Sequence, residues 1–191
     1  MDAIMATLAA VLLANADGRI AQMLAALLRE RRDRRRVVIL FFSAFTLLAI
    51  MSAVGALVAA RHLGLGVLNL FAGIALVSAA AALLWTRRGA IALAADAAVL
   101  VRAGPVMLFV RLFLMQLGDR NQFLILALGG LSGAALWGVA GGAAGLLVAM
   151  LPVLALGPAL FERRGVRRLR WAAAALLVLW AFIYLRRAFG V

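Results

Sequence analysis

Long apolar stretches alternate along the chain with short arginine clusters and a few polar residues. A helix needs roughly 20 mainly apolar residues to cross the hydrocarbon core of a bilayer. Five stretches meet this length, and a sixth, the last, is shorter but has an arginine at each end that can snorkel to the interface. The six stretches are residues 3–28, 37–60, 63–85, 106–128, 131–156 and 171–185. The pattern predicts an all-α integral membrane protein with six transmembrane helices.

The predicted spans fall into two sets of three. Residues 1–88 carry the first three spans, and residues 105–191 carry the other three. Residues 89–104 connect the sets. The apolar part of this connection, residues 90–101, is too short to span and contains Asp96, so we expect an interfacial or linker helix there. Because each set has an odd number of spans, the second set enters the membrane from the opposite face, which gives inverted repeats.

Composition supports the membrane assignment and excludes several other classes of protein. The chain is 68% hydrophobic with a mean hydropathy of +1.12, far above an ordinary soluble domain. It has no cysteine, so disulfides and thiolate metal sites are excluded, and its one histidine, His62, cannot build a zinc site. No serine–histidine–aspartate set or nucleotide-binding glycine loop is present, so we do not expect an enzyme.

The placement of arginine predicts how the chain is oriented. All 20 basic residues are arginine, giving a net charge of +13. Fourteen lie on one side of the predicted membrane, in residues 29–36, 87–102 and 163–170, and three lie on the other. This distribution indicates membrane topology rather than nucleic-acid binding, because positive loops stay in the cytoplasm. Both termini are then non-cytoplasmic, and the composition favours a bacterial inner membrane.

Polar residues interrupt the first span of each set near its middle. The interruptions contain Asn15, Asp17, Arg19 and Gln22 in the first set and Gln116, Asp119, Arg120, Asn121 and Gln122 in the second. Ionisable groups in the bilayer core cost roughly 2.5–3.5 kcal/mol each on insertion scales, so they seldom persist without a function. Gly18 and Gly118 suit a helix that breaks there and exposes backbone groups. We predict an ion or substrate pathway near the midplane.

At these residues the sequence resembles a known family. Two inverted triplets, each opened by a variant of E-x-G-D-[KR]-[ST], are typical of the Gdt-type cation/proton exchangers, which include Golgi manganese/calcium exchangers and bacterial manganese exporters within the lysine-exporter-like superfamily. The second copy, residues 116–122, keeps the Gly-Asp-Arg core but has Gln116 in place of Glu and Asn121 in place of the hydroxyl residue. The first copy has Asn15 in place of Glu and its Gly-Asp pair reversed.

The resemblance implies a transporter that exchanges Mn²⁺ or Ca²⁺ for protons, with Asp17 and Asp119 as metal ligands and no resident cofactor. The motif residues of the family carry a formal charge of −2, which suits one divalent ion. Here two aspartates face two arginines, so the formal charge is zero. Because arginine does not release its proton, adding a divalent cation would leave uncompensated charge in a region of low dielectric.

Two functions therefore remain open at this point. A secondary transporter predicts a polar cavity between the first and fourth spans. A non-transporting relative predicts a dry midplane sealed by aspartate–arginine pairs, with the protein acting as an assembly or regulatory partner. Either form has the lipid bilayer as its surroundings, and only the first has a cation and protons as partners. The glycine pattern at Gly141 and Gly145 favours close helix packing, within the monomer or in a homodimer.

Overall fold

The computed structural model describes residues 3–85, 100–156 and 164–190, and it contains eight helices in these ranges. We number them in chain order. The bounds are α1 Ala3–Ala14, α2 Arg19–Glu30, α3 Arg34–His62, α4 Leu65–Leu84, α5 Pro105–Gln116, α6 Arg120–Ser132, α7 Ala135–Leu156 and α8 Arg164–Ala188. No strand occurs in the described ranges. The prediction of an all-α protein is confirmed.

Four of these helices are long and apolar enough to cross a membrane. They are α3, α4, α7 and α8, over Arg34–His62, Leu65–Leu84, Ala135–Pro152 and Arg167–Ala188. The chain is thus an integral membrane protein by the length and composition of its helices. Long apolar side chains on these helices are exposed, among them Ile74, Leu179 and Phe182, as expected for a surface that contacts lipid.

Two of the predicted spans are broken at their polar interruptions, and the last differs in length from the prediction. The first and fourth predicted spans are each two shorter helices, α1 with α2 and α5 with α6, separated by a short break. The last span is longer than the predicted 15 residues, because α8 continues through the arginines at both ends of the apolar stretch. Arginine favours helix, so a change in polarity there does not end the helix. The predicted linker helix at residues 90–101 lies mostly outside the described residues.

The helices pack in pairs that relate the two halves of the chain. Contacts between α1 and α7 and between α4 and α8 are the most extensive. Helix α5 packs against α3, while α2 packs more loosely against α7 and α3. The two halves are therefore interleaved, and the breaks in the two divided helices are brought towards the centre of the bundle.

The glycines of α7 explain how closely it approaches α1. A Cβ atom added to Gly141 would lie 2.2 Å from the carbonyl oxygen of Ile4, and one added to Gly145 would lie 2.5 Å from that of Leu8. Any side chain at these positions would collide with the backbone of α1. The small-residue pattern therefore serves packing within the chain, as is common for membrane helices.

Candidate functional site

The first break joins α1 and α2 through a tight turn. Helix α1 ends at Ala14, and the backbone N–H of Gly18 donates to the carbonyl oxygen of Asn15 at 2.9 Å. Gly18 has a φ of 64°, in the left-handed region that glycine adopts without steric cost. The turn leaves Asn15 and Asp17 outside regular helix, and both are buried.

The second break also contains a glycine in the left-handed region, but here a glutamine side chain bonds to the backbone of the turn. Gly118 has a φ of 74° between the end of α5 at Gln116 and the start of α6 at Arg120. The side chain of Gln122 accepts a hydrogen bond from the N–H of Gly118 at 3.2 Å and donates one to the carbonyl oxygen of Gln116. Gln122 thereby satisfies backbone groups that the break would leave without partners.

An ion pair connects the two breaks. Nη2 of Arg120 donates to the two carboxylate oxygens of Asp17 at 2.8 and 2.9 Å. The side chain of Asp17 is 1% exposed and that of Arg120 is 9% exposed, so the pair is almost completely removed from solvent. Charges buried to this extent are tolerated only when they are paired. The pair joins residues from the two halves of the chain.

A chain of amide hydrogen bonds runs beside the ion pair. Nδ2 of Asn15 donates to Oδ1 of Asn121 at 2.8 Å, and Nδ2 of Asn121 donates to Oδ2 of Asp119 at 2.7 Å. Asn15 also donates to the carbonyl oxygen of Val11 in α1. These bonds fix the position of the Asp119 carboxylate relative to the first break.

Several buried polar atoms of the site have no hydrogen-bond partner among the described residues. They are Oδ1 of Asn15, Nε2 of Gln116, and Nε and Nη1 of Arg120. A buried polar atom without a partner costs about 1–3 kcal/mol. The guanidinium of Arg120 is therefore held through Nη2 to Asp17, and its other two nitrogens form no hydrogen bond with a described residue.

A cavity of about 240 Å³ adjoins the ion pair. Its polar lining comes from Gln116, Asp119 and Arg120, together with the backbone at Gly118, and its apolar lining comes from Ile20, Met23, Ala82 and Met115. The apolar residues of α2 and α5 lie on the side of each break that leads to the ends at Glu30 and Pro105. The cavity therefore extends from the breaks towards the arginine-rich ends of these two helices.

The structure brings most of the predicted pathway residues together. Asn15, Asp17, Gln116, Asp119, Arg120 and Asn121 lie at the two breaks, in the hydrogen bonds and cavity described above. Gln22 is half-buried on α2 and does not line the cavity. The side chain of Arg19 lies outside the described part of the structure. Among the described residues, no group of three or more histidines or acidic residues could hold a metal ion.

Sequence reasoning missed two features of the site. It did not indicate that Arg120 forms an ion pair with Asp17 of the other half, because 103 positions separate the two residues. It also missed the apolar cavity lining, because Ile20, Met23 and Met115 look like any other lipid-facing or core residues. One indication for Met23 was present in the sequence. It lies four positions, about one helical turn, after Arg19, so the two positions share a face of α2.

A comparison with known protein families finds a match in the second half of the chain. Residues 104–191 match the model of a family described as divalent cation/proton antiporter GDT1. The match contains the second break, with Gly118, Asp119 and Arg120, and helices α5 to α8. No curated protein and no solved structure matches the chain significantly. Residues 104–191, just under half of the chain, are thus similar to the divalent cation/proton antiporter GDT1 family, which supports the resemblance seen in the second motif.

Proposed function

We propose that the chain is a secondary transporter that exchanges a divalent cation for protons at a site between its two helix breaks. The observation that carries this proposal is the ion pair from Asp17 to Arg120 beside a cavity lined by Asp119. An acidic residue from each half of the chain contributes to one buried polar cluster, which is where inverted-repeat transporters bind their substrates.

The proposed membrane architecture has six crossings. Helices α1 and α2 together form one broken span, α5 and α6 form another, and the four long helices complete two inverted sets. The packing of α1 on α7 and of α5 on α3 supports this arrangement, since the two contacts exchange under a twofold operation. In each set a broken helix is followed by two continuous ones.

The position of the cavity and the placement of arginine together suggest how the proposed transporter is oriented in the membrane. By the positive-inside rule the ends of α2 and α5 that lie near Arg29–Arg36 and Arg102 face the cytoplasm of a bacterial cell. The cavity extends towards those ends, so we assign the cytoplasmic access route of the proposed transporter to this side of the breaks. Both termini are then on the opposite face.

Asp17 and Asp119 have different roles in the proposed exchange. Asp17 is the cation ligand, and Arg120 holds its place by neutralising the carboxylate while no cation is bound. Mn²⁺ and Ca²⁺ prefer oxygen ligands, and Oδ1 of Asn15 is a buried oxygen without a partner close to Asn121 and Asp119. Displacement of Arg120 towards the cavity would break the two hydrogen bonds from Nη2 to the Asp17 carboxylate.

Asp119 is the proposed proton carrier. It lines the cavity, and the described hydrogen bond to its side chain comes from the neutral amide of Asn121. No described arginine forms an ion pair with it. Protonation of Asp119 would remove one negative charge from the site when the cation leaves, so the charge of the cluster would change less than with cation movement alone.

A second function is favoured by the same ion pair. If Arg120 never leaves Asp17, the midplane stays neutral and the protein is a non-transporting relative that acts through a partner. Titration calorimetry of the detergent-solubilised protein with MnCl₂ separates the two. Heat of binding that disappears in Asp17→Asn supports the transporter, whereas absence of binding at millimolar Mn²⁺ supports the sealed relative.

A further inference from the structure

A single arginine connects the two helices that flank the cavity, at the ends farthest from the ion pair. Arg31 follows the last residue of α2, and its Nη1 donates to the carbonyl oxygens of Leu100, Val101 and Ala103 at 3.0, 3.1 and 2.8 Å. Those carbonyls lie just before α5 begins at Pro105. The guanidinium of Arg31 therefore holds the end of α2 against the start of α5.

Asp33 fixes the orientation of this guanidinium. Nε of Arg31 donates to Oδ1 of Asp33 and Nη2 donates to Oδ2, both at 2.8 Å. The fork of two parallel bonds leaves Nη1 directed at the three carbonyl groups. The side chain of Arg31 is only 10% exposed, and Leu100 is buried in the core, so neither side of the contact is a loose surface group.

The contact made by Arg31 matters because few other contacts join α2 to α5. Helix α2 packs loosely against α7 and α3, and α5 packs mainly against α3, so these two helices have little packing against each other. Yet they line opposite parts of one cavity, through Ile20 and Met23 on one side and Met115 and Gln116 on the other. Helix α2 has 12 residues and is about 18 Å long. Asp17 lies just before its start and pairs with Arg120, and Arg31 lies just after its end and bonds to the segment before α5. The helix is therefore held at both ends.

We propose that Arg31, oriented by Asp33, is a latch that controls access to the cavity by joining the end of α2 to the segment before α5. Separation of the two helices at this end must break the three hydrogen bonds from Nη1. The latch lies outside both motif copies and acts on access, so it goes beyond the exchange proposed for the site itself.

Cysteine labelling tests the latch without any transported ion. The chain has no cysteine, so a single introduced thiol is the only target. Met23→Cys places this thiol on the cavity wall, and Leu24→Cys places it one residue further at a buried position outside the lining. Both are made with native Arg31, with Arg31→Gln and with Arg32→Gln, an exposed neighbour, and are labelled in vesicles by a membrane-impermeant maleimide supplied at the arginine-rich face.

Arg31→Gln is expected to raise the labelling rate of Met23→Cys by about tenfold or more, since one charge-assisted hydrogen bond alone is worth about this factor. Leu24→Cys and the Arg32→Gln background should stay at the native rate. Equal rates at Met23→Cys in the Arg31→Gln and Arg32→Gln backgrounds would overturn the latch.

A second variant covers the case in which Arg31→Gln loosens the whole bundle, shown by faster labelling of Leu24→Cys. Asp33→Asn then decides, because it removes the orienting carboxylate while leaving Arg31 in place. Faster labelling at Met23→Cys alone supports the latch, and an unchanged rate there refutes it. Since no cation is involved, failure of the proposed exchange would leave either result unaffected.

Discussion

The guanidinium of Arg120 lies 2.8 Å from the carboxylate of Asp17, although 103 positions separate the two residues in the chain. One residue comes from the break between α1 and α2, and the other begins α6 directly after the second break. The pair therefore joins the two halves of the molecule at its most polar point. Its partners, its burial and the cavity next to it lead to the predictions below.

Removal of one member of the ion pair should destabilise the protein more than removal of both. Asp17→Asn removes the carboxylate that pairs with the buried Arg120 charge, and Arg120→Gln removes the guanidinium that pairs with the buried Asp17 charge, at a cost of about 3–5 kcal/mol each. The double variant buries neither of these two charges and should recover most of this loss. Thermal unfolding in detergent measures the effect, with Arg61→Gln, an exposed arginine, as the control. Additive losses in the double variant would show that the two residues do not interact.

Restoring an acidic residue to the cavity should increase cation affinity. Gln116→Glu adds one negative charge beside Asp119 and replaces an amide whose Nε2 has no partner. With the site at a formal charge of −1 instead of zero, we expect Mn²⁺ to bind at least about tenfold more tightly, since one charge–charge contact at an effective dielectric of 20 exceeds this energy. Calorimetry measures the affinity, and Gln22→Glu, on α2 outside the cavity lining, is the matched control. Equal effects of the two variants would indicate general attraction rather than a site.

Close packing of α7 on α1 should make its glycines intolerant of any side chain. Gly141→Ala places a methyl group against the backbone of Ile4, and overpacking of this kind costs at least about 1–3 kcal/mol. Gly64→Ala meets nothing within 4 Å and serves as the control. The yield of monodisperse protein after detergent extraction should fall for Gly141→Ala and stay unchanged for Gly64→Ala. A normal yield and melting temperature for Gly141→Ala would contradict the observed helix contact.

The Arg31–Asp33 pair should contribute to stability over a defined pH range. The Arg31 guanidinium holds the pKa of Asp33 below its ordinary value of 3.8, first through the hydrogen bonds between them. A depressed folded-state pKa gives a contribution that is present above the unfolded value and is lost as pH falls through the folded value. The melting temperature of the native protein should exceed that of Asp33→Asn at pH 5 to 7, and the difference should shrink below about pH 3.8. A difference that grows on acidification would contradict this sign.

Much of the architecture follows from the sequence, because its causes are local. Runs of apolar residues determine where the long helices lie, and Gly18 and Gly118 mark the breaks since the backbone there adopts a conformation that other residues avoid. The limits of α8 were less predictable, because arginine continues a helix as readily as it ends an apolar run.

The contacts of the site depend on how distant helices meet, and sequence spacing carries little information about this. Asp17 stands two positions before Arg19 in the sequence, yet Arg120, 103 positions away, forms an ion pair with it in the fold. The cavity lining is harder still, because Met23 and Met115 differ in no visible way from the other apolar residues around them. Arg31 looked like one more member of a topology cluster, although Asp33 two residues later was a signal of a local ion pair.

The most direct test of the proposed exchange between the two breaks is Mn²⁺ uptake into proteoliposomes that contain an internal pH dye. Native protein should carry Mn²⁺ with counter-movement of protons. Asp17→Asn should abolish both signals, and Glu30→Gln, an exposed acidic residue of α2, should leave both intact. Uptake in Asp17→Asn at the native rate, or native uptake no faster than in empty liposomes, would contradict the proposal.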